Sequence, residues 1–261
     1  MARNVTGTCH ICGNYGKLTF EHVPPKKAFN DRPIIRGVFE KFQNMTPGEK
    51  VQGKIEQKGS GGHTLCPKCN NDTGSYYGSD FIEWTYQNYY LIKTLSEIES
   101  NYTYKIYPLR VIKQIITMFF STNGDAFRKA HPDLVKFVLD QNMKYLKPSI
   151  RIFTFLVDGE YSRHTGIVSS GNIVTGKITV MSEIAIFPVG YLMTINSDPP
   201  DERLTEITHF SRYGYDDLQQ ISLNMNKLPI SYFLPGDYRT RDEIMEDYYR
   251  NIEDGLSTDF F

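Results

Sequence analysis

Apolar and aromatic residues recur at helical spacing in four stretches of the chain. "SYYGSDFIEWTYQNYYLIKTLSEI" does so through Phe81, Trp84, Tyr89, Ile92 and Leu95, and "LRVIKQIITMFFST" and "PDLVKFVLDQNMKYL" follow it. The last of these opens on Pro132 and Asp133, residue types favoured in a first helical turn. "RDEIMEDYYRNIEDG" reads as a fourth, amphipathic helix near the C-terminal end. Between them "SIRIFTFLV", "GNIVTGKITV", "SEIAIFPVGYLMTI", "LTEITHF" and "LQQISLNM" are short β-branched or aromatic runs bounded by Gly, Asp and Pro. Such runs predict strands of a mostly antiparallel sheet.

The first eighty or so residues have a different texture. A Cys-rich turn leads into a short strand, "KLTFEHV", then a long connection containing Gly and Lys, and then "TLCPKCNNDTG" before the first helix. A turn around "ESNYTYKIYP" separates this unit from the rest. The pattern predicts an α+β protein with a small domain over 1–98 and a larger one over 99–261, helices first and sheet second. No internal repeat or low-complexity tract interrupts it.

A chain of 261 residues with 40% apolar and 23% charged residues can bury a proper core without disulfides. No apolar run reaches the roughly 20 residues needed to cross a bilayer, and "MARNVTGTCHICG" lacks a signal peptide's apolar centre. These features predict a cytoplasmic protein with no membrane partner. The net charge of −1 hides an asymmetry: residues 1–70 carry eleven Lys and Arg against five Asp and Glu. The tail "GDYRTRDEIMEDYYRNIEDGLSTDFF" has eight acidic residues against three basic ones. A polyanionic partner is therefore expected at the N-terminal end.

All four cysteines fall in two Cys-x-x-Cys pairs, Cys9/Cys12 and Cys66/Cys69. A two-residue spacing lets both thiolates of a tight turn face one ion, and two such turns supply the four soft ligands that tetrahedral zinc prefers. A thioredoxin-like redox site would need one pair at the end of a strand in a βαβ context, which is absent. A site closed by four thiolates is structural, so chemistry has to come from other residues.

Those residues lie between the pairs. "CHICG", "LTFEHVPP" and "LCPKCNN" stand in this order, and the order resembles that of the zinc-containing HNH endonucleases, which have the ββα-metal fold. The resemblance covers residues 9–85. It implies that Glu21 is an acidic metal ligand, His22 the general base, and Asn70 the residue that completes a site for Mg²⁺ or Mn²⁺. A carboxylate and an amide oxygen suit such hard cations, while an imidazole that titrates near neutrality suits proton removal from water. In a regular strand Glu21 and His22 would point to opposite faces; Pro24 and Pro25 end the strand at once and leave room for an irregular turn.

The chain departs from the family in one place. The family's middle Asn precedes the second cysteine pair by a few residues and braces the base, whereas here the segment reads "KGSGGHTLC", with His63 its nearest polar side chain. The connection from Pro25 to His63 holds Lys26, Lys27, Arg32, Arg36, Lys41, Lys50, Lys54 and Lys58, with Phe29, Phe39 and Phe42 among them. Spaced cations and aromatic rings suit a phosphate backbone and unpaired bases; a solvated surface and core phenylalanines account for them equally well. Asn71 or Asp72 is expected to cap the following helix, and Tyr76 and Tyr77 to pack on the larger domain.

Residues 99–261 carry no catalytic motif; His131, His164 and His209 stand far apart, and Arg239 and Arg241 near the end suit salt bridges or phosphate. The expectation is a DNA-cutting HNH-type endonuclease, with RNA as an alternative substrate. By analogy with bacterial defence effectors, the larger domain would position substrate, form a homo-oligomer or bind a protein partner. The rival reading is a non-catalytic zinc module that binds nucleic acid or protein on a reused HNH scaffold.

Overall fold

A computed structural model describes residues 4–37, 53–94, 101–159, 161–172 and 177–253. It is α+β, with four α-helices among the described residues. The N-terminal part is a set of two-stranded ribbons: β1 (Thr6–Thr8) with β2 (Tyr15–Lys17), β3 (Thr19–His22) with β6 (Gly61–Leu65), and β4 (Ile34–Gly37) with β5 (Gly53–Glu56). Helix α1 (Pro67–Thr94) follows β6 directly. After β7 (Asn101–Ile106) come α2 (Pro108–Ala130) and α3 (Pro132–Leu139). Then β8 (Ile150–Asp158), β9 (Arg163–Asn172), β10 (Lys177–Ile186) and β11 (Val189–Ile195) form the main sheet, in the order β8-β11-β10-β9. Strand β12 (Thr205–Glu206) adds antiparallel to β8, β14 (Lys227–Pro229) adds parallel to it, and β13 (Gln219–Asn224) pairs with β7 instead. The last helix is α4 (Arg241–Glu253).

Helix α2 is the centre of the molecule. Its residues from Leu109 to Phe120 are buried on nearly every side, including Ile112, Ile115, Ile116 and Phe119, as expected of a helix covered all round. The ladder breaks at Gly124, whose φ of 76° lies in the left-handed region. Lys113, fully buried in this helix, donates from Nζ to the carbonyls of Phe137 and Asp140 and so caps the end of α3. The main sheet is buried on both faces. Ile150, Ile152, Leu156, Tyr191 and Met193 join the cluster around α2, while Phe153, Phe155, Val157, Leu192 and Tyr238 form a second cluster on the other side.

The cluster around α2 also takes in Cys9, Leu18, Val23, Leu65, Phe81 and Trp84, so it has members on both sides of the boundary expected at 98/99. That boundary, together with Leu95, lies outside the described residues. Trp84 donates from Nε1 to the Tyr191 hydroxyl at 3.0 Å, which ties α1 to the main sheet.

Several expected elements take other forms. Helix α1 begins at Pro67, eight residues before the expected "SYYG" start, because proline suits a first helical position; Asn71 and Asp72 therefore lie inside the helix and do not cap it. The "ESNYTYKIYP" turn holds a strand, β7, with Tyr102, Tyr104 and Ile106 alternately buried and Tyr104 donating to Asn88 Oδ1 at 3.0 Å. "GNIVTGKITV" supplies the end of β9 and the start of β10, and "SEIAIFPVGYLMTI" the end of β10 and all of β11, with Phe187–Pro188 between them. "LTEITHF" gives two residues of strand and then a 3-10 turn over Thr208–Arg212. Among the described residues, no helix is long and apolar enough to cross a membrane.

Candidate metal centre

The four cysteine sulfurs lie within 4.8 Å of one another, with Cys12 and Cys66 3.8 Å apart. Two local devices bring them together. The first pair sits in the turn of the β1–β2 ribbon, where Cys9 N–H donates to Asn14 O and Gly13 N–H to Cys9 O, both at 3.0 Å. Gly13 has a φ of 79°, and a Cβ there would meet the Arg128 guanidinium at 2.6 Å, so glycine serves both the turn and the approach of α2. The second pair straddles the start of α1, where Asn70 N–H donates to Cys66 O at 3.0 Å and Cys69 N–H points to Cys66 Sγ at 3.5 Å. His10 N–H donates to Thr64 O at 2.9 Å, which joins the first turn to β6.

Charge is unevenly shared between Cys9 and Cys69. The hydrogen bond with Cys69 pulls the Cys9 thiol down to about 4, the same hydrogen bond pushes Cys69 well up, and burial raises Cys12. Four thiolates this close repel one another unless a cation offsets them. The donor set and its spacing are compatible with tetrahedral zinc.

Glu21 and His22 are consecutive residues of β3, Glu21 buried and His22 half-buried. Phe20, on β3, lies against two imidazoles, with ring centroids 4.9 Å from His22 and 5.4 Å from His63. His63 faces Phe20 across the ribbon and is exposed. The His22 ring is partly buried and bonds the backbone of Lys58. Burial, helped by the charges of Lys26 and Lys58, lowers its pKa despite that bond, so at neutral pH the imidazole is uncharged. Glu21 is 9% exposed and has no hydrogen-bond or ion-pair partner among the described residues; burial pushes its carboxyl up to about 7. Asn70, on the first turn of α1, donates from Nδ2 to Thr19 Oγ1 at 2.9 Å, which ties the helix to the start of β3. No hydrogen bond among the described residues joins Glu21, His22 and Asn70 to one another.

The remaining expected contacts divide. Lys26, Lys27, Arg32, Arg36 and Lys54 are exposed, and Arg36 donates to Gly61 O at 3.0 Å. Lys58 lies 5.9 Å from the centre of the Phe20 ring. Phe29 packs on α1, its ring centroid 4.6 Å from Tyr89 and 5.0 Å from Tyr86. Lys41, Lys50, Phe39 and Phe42 lie outside the described residues. Tyr77 donates to Val138 O at 2.9 Å and so packs where expected, while the backbone carbonyl of Tyr76 accepts from the Tyr215 hydroxyl at 2.9 Å. Arg239 is held by Asp237 and Asp247, the salt-bridge alternative for that residue.

The end of β3 is also held by residues to which the sequence pattern gave no role. Asn30 is buried and donates from Nδ2 to Pro24 O at 2.6 Å and to Ser60 O at 2.7 Å, while its Oδ1 accepts from Ser60 N–H at 2.7 Å. Gly59 has a φ of 82°, and a Cβ there would lie 2.5 Å from Asn30 O, so glycine serves both the turn and the close approach. Ser60 O also accepts from Val23 N–H at 3.0 Å. From β9, His164 reaches Ser60 Oγ with Nδ1 and Thr122 Oγ1 with Nε2, both at 2.7 Å. The Thr122 hydroxyl donates to Met118 O, so Nε2–H of His164 donates to Thr122 and Nδ1 accepts from Ser60. Burial, with the charge of Arg36, brings His164 down to about 4 and keeps it neutral. Asn30 and His164 sit in unremarkable local sequence; only the glycines of "GSGG" marked the turn they grip.

No known protein family, curated protein or solved structure matches the chain.

Proposed function

We propose that this chain is a metal-dependent HNH-type endonuclease that hydrolyses phosphodiester bonds in DNA. The observation that carries the reading is the convergence of both cysteine pairs on one point, which draws the strand ending in Glu21 and His22 against the helix that carries Asn70. Cys9, Cys12, Cys66 and Cys69 would hold structural zinc. Glu21 has a buried carboxylate without a partner, and Asn70 keeps Oδ1 free of hydrogen bonds among the described residues. These two hard oxygens fit Mg²⁺ or Mn²⁺. A cation bound there would offset the charge that develops on the phosphate.

His22 carries the proton transfer in this reading. In this reading one ring nitrogen faces the Lys58 backbone in place of the missing middle Asn, and the other accepts a proton from water. The water oxygen bonds to phosphorus as the bond to the 3′ oxygen breaks. Lys26, Lys27, Arg32 and Arg36 present exposed positive charge to a phosphate backbone. His164 supports a positioning role for the C-terminal region, because it grips the turn beside His22 from the main sheet.

Zinc-loaded protein is expected to nick supercoiled DNA in Mg²⁺ or Mn²⁺, and His22→Ala to lose about a hundredfold or more in rate. Absence of nicking in either cation, or equal rates for parent and variant, would overturn the proposal. RNA offered in the same assay tests the alternative substrate. A second reading rests on the lack of any hydrogen bond joining Glu21, His22 and Asn70 among the described residues: a non-catalytic zinc module that binds nucleic acid or a protein partner. Protein that retards DNA in a gel yet never cuts it would favour that reading.

A further inference from the structure

A cleft of about 580 Å³ opens between the chain entering β8 and the 3-10 turn at 208–212, and it shares no residue with the cysteine centre or β3. Its volume falls in the range of small-molecule pockets. Lys147, Arg151 and Arg212 line it against a single acid, Glu206. Lys147 is paired with Asp133, and Arg151 with Glu206 and Asp198. Arg212 is exposed and has no ion-pair partner among the described residues, so an unbalanced positive charge faces the cleft. Beside it His209 is half-buried and neutral, lowered by burial and by the Arg212 charge against the opposing pull of Glu206.

The rim adds a flat surface. Tyr145 has a φ of 65°, a left-handed conformation unusual for a residue other than glycine, held by donation of its N–H to Ser211 O at 2.8 Å. Leu146 N–H bonds Ser211 Oγ at 3.3 Å, so two consecutive amides fix this turn to the 3-10 segment. The Tyr145 ring remains 62% exposed, although an aromatic side chain usually gains by burial. A strained backbone that holds an aromatic ring at the mouth of a cationic cleft has the form of a ligand clamp.

We propose that this cleft binds a phosphorylated nucleoside, with the base stacked on Tyr145 and the phosphate held by Arg212. Arginine suits the phosphate because its fork of donors matches the anion, and an exposed tyrosine face suits any planar base. The proposal does not depend on nuclease activity, and His22→Ala should bind the ligand as the parent does.

The test is calorimetric titration of the full chain with AMP, GMP, CMP and UMP, with inorganic phosphate and adenosine as separate arms. At least one nucleotide should bind about tenfold or more tightly than phosphate or adenosine alone. Arg212→Ala and Tyr145→Leu should each weaken that binding about tenfold, with circular dichroism and thermal midpoint unchanged because both side chains are exposed. The proposal is overturned if no nucleotide binds more tightly than phosphate, or if either substitution leaves affinity within about twofold of the parent.

Discussion

The cysteine centre with its ribbons and the α2–sheet body are held together by different forces. In the body, Phe119, Ile115, Ile152 and Tyr191 are fully buried among other apolar side chains, and cohesion comes from area removed from water. In the ribbons the strands have three to five residues, and they and their turns bury few apolar side chains, among them Ile11, Leu18, Val23, Ala28 and Leu65. Directional contacts take over there: four sulfurs, the Asn30 bonds to Pro24 and Ser60, and His164 reaching from the sheet. Short ribbons cannot supply enough apolar area alone and need a staple. The two regions should therefore respond to different insults.

The largest expected effect follows from removing the staple. Structural zinc contributes on the order of 10 kcal/mol to small thiolate sites at neutral pH. Chelation, or Cys69→Ser, should strip amide protection from 6–22 and 61–65 while α2 and β8–β11 stay protected, as read by hydrogen exchange with mass spectrometry. Uniform loss across the chain, or none, would erase the contrast. The converse insult is Phe119→Ala in α2. It should lower stability by about 3–5 kcal/mol in urea titration, with no change in zinc per chain. A variant that also released metal would show that the ribbons lean on the body more than their contacts indicate.

The contrast also governs what could be read from the sequence. Apolar periodicity marked α2, α4, most strands of the sheet and the start of α3, since burial by area leaves a pattern with a period; α3 ends at Leu139 although the pattern ran on to Leu146. The cysteine pairs were legible too, because thiolate spacing is fixed by the ion. Periodicity failed at β7, where "ESNYTYKIYP" looks like a turn but alternates Tyr102, Tyr104 and Ile106 inward against α1. It also merged β10 with β11, since Ala185 to Leu192 is apolar on both sides of the Phe187–Pro188 turn. The brace on β3 was invisible for a further reason: His164 is 104 residues from Ser60, and no local pattern encodes a hydrogen bond between them.

His164 is where the two regions meet, and pH tests its share. Its neutral form is the one bonded to Ser60 and Thr122, and its pKa of about 4 lies below the ordinary 6.5. Between those values the unfolded chain takes up the proton first, so the contribution is complete above pH 6.5 and is lost as pH falls toward 4. The loss amounts to about 3 kcal/mol. Glu21, raised to about 7 by burial, acts with the opposite sign, so the informative quantity is the parent minus His164→Gln at each pH, taken from urea midpoints. A difference that stays flat from pH 7 to 4 would remove His164 as a buried neutral link.

The smallest expected effect separates a chain of bonds from a single one. Thr64 on β6 donates from Oγ1 to Ser121 Oγ on α2 at 3.1 Å, another polar tie between ribbons and body. Thr64→Val keeps the shape and removes the donor. Ser121 lies on a helix, where its hydroxyl can turn to the carbonyl of Thr117, so the buried oxygen need not lose its bonding. The cost should be about 1 kcal/mol or less, with the amides of 61–65 as protected as in the parent. His164 has no such local substitute, because Ser60 and Thr122 hold both its nitrogens from separate segments. If Thr64→Val destabilised the protein as much as His164→Gln, the seam would depend on every contact alike, and the special place given to the Asn30–Ser60–His164 chain would be lost.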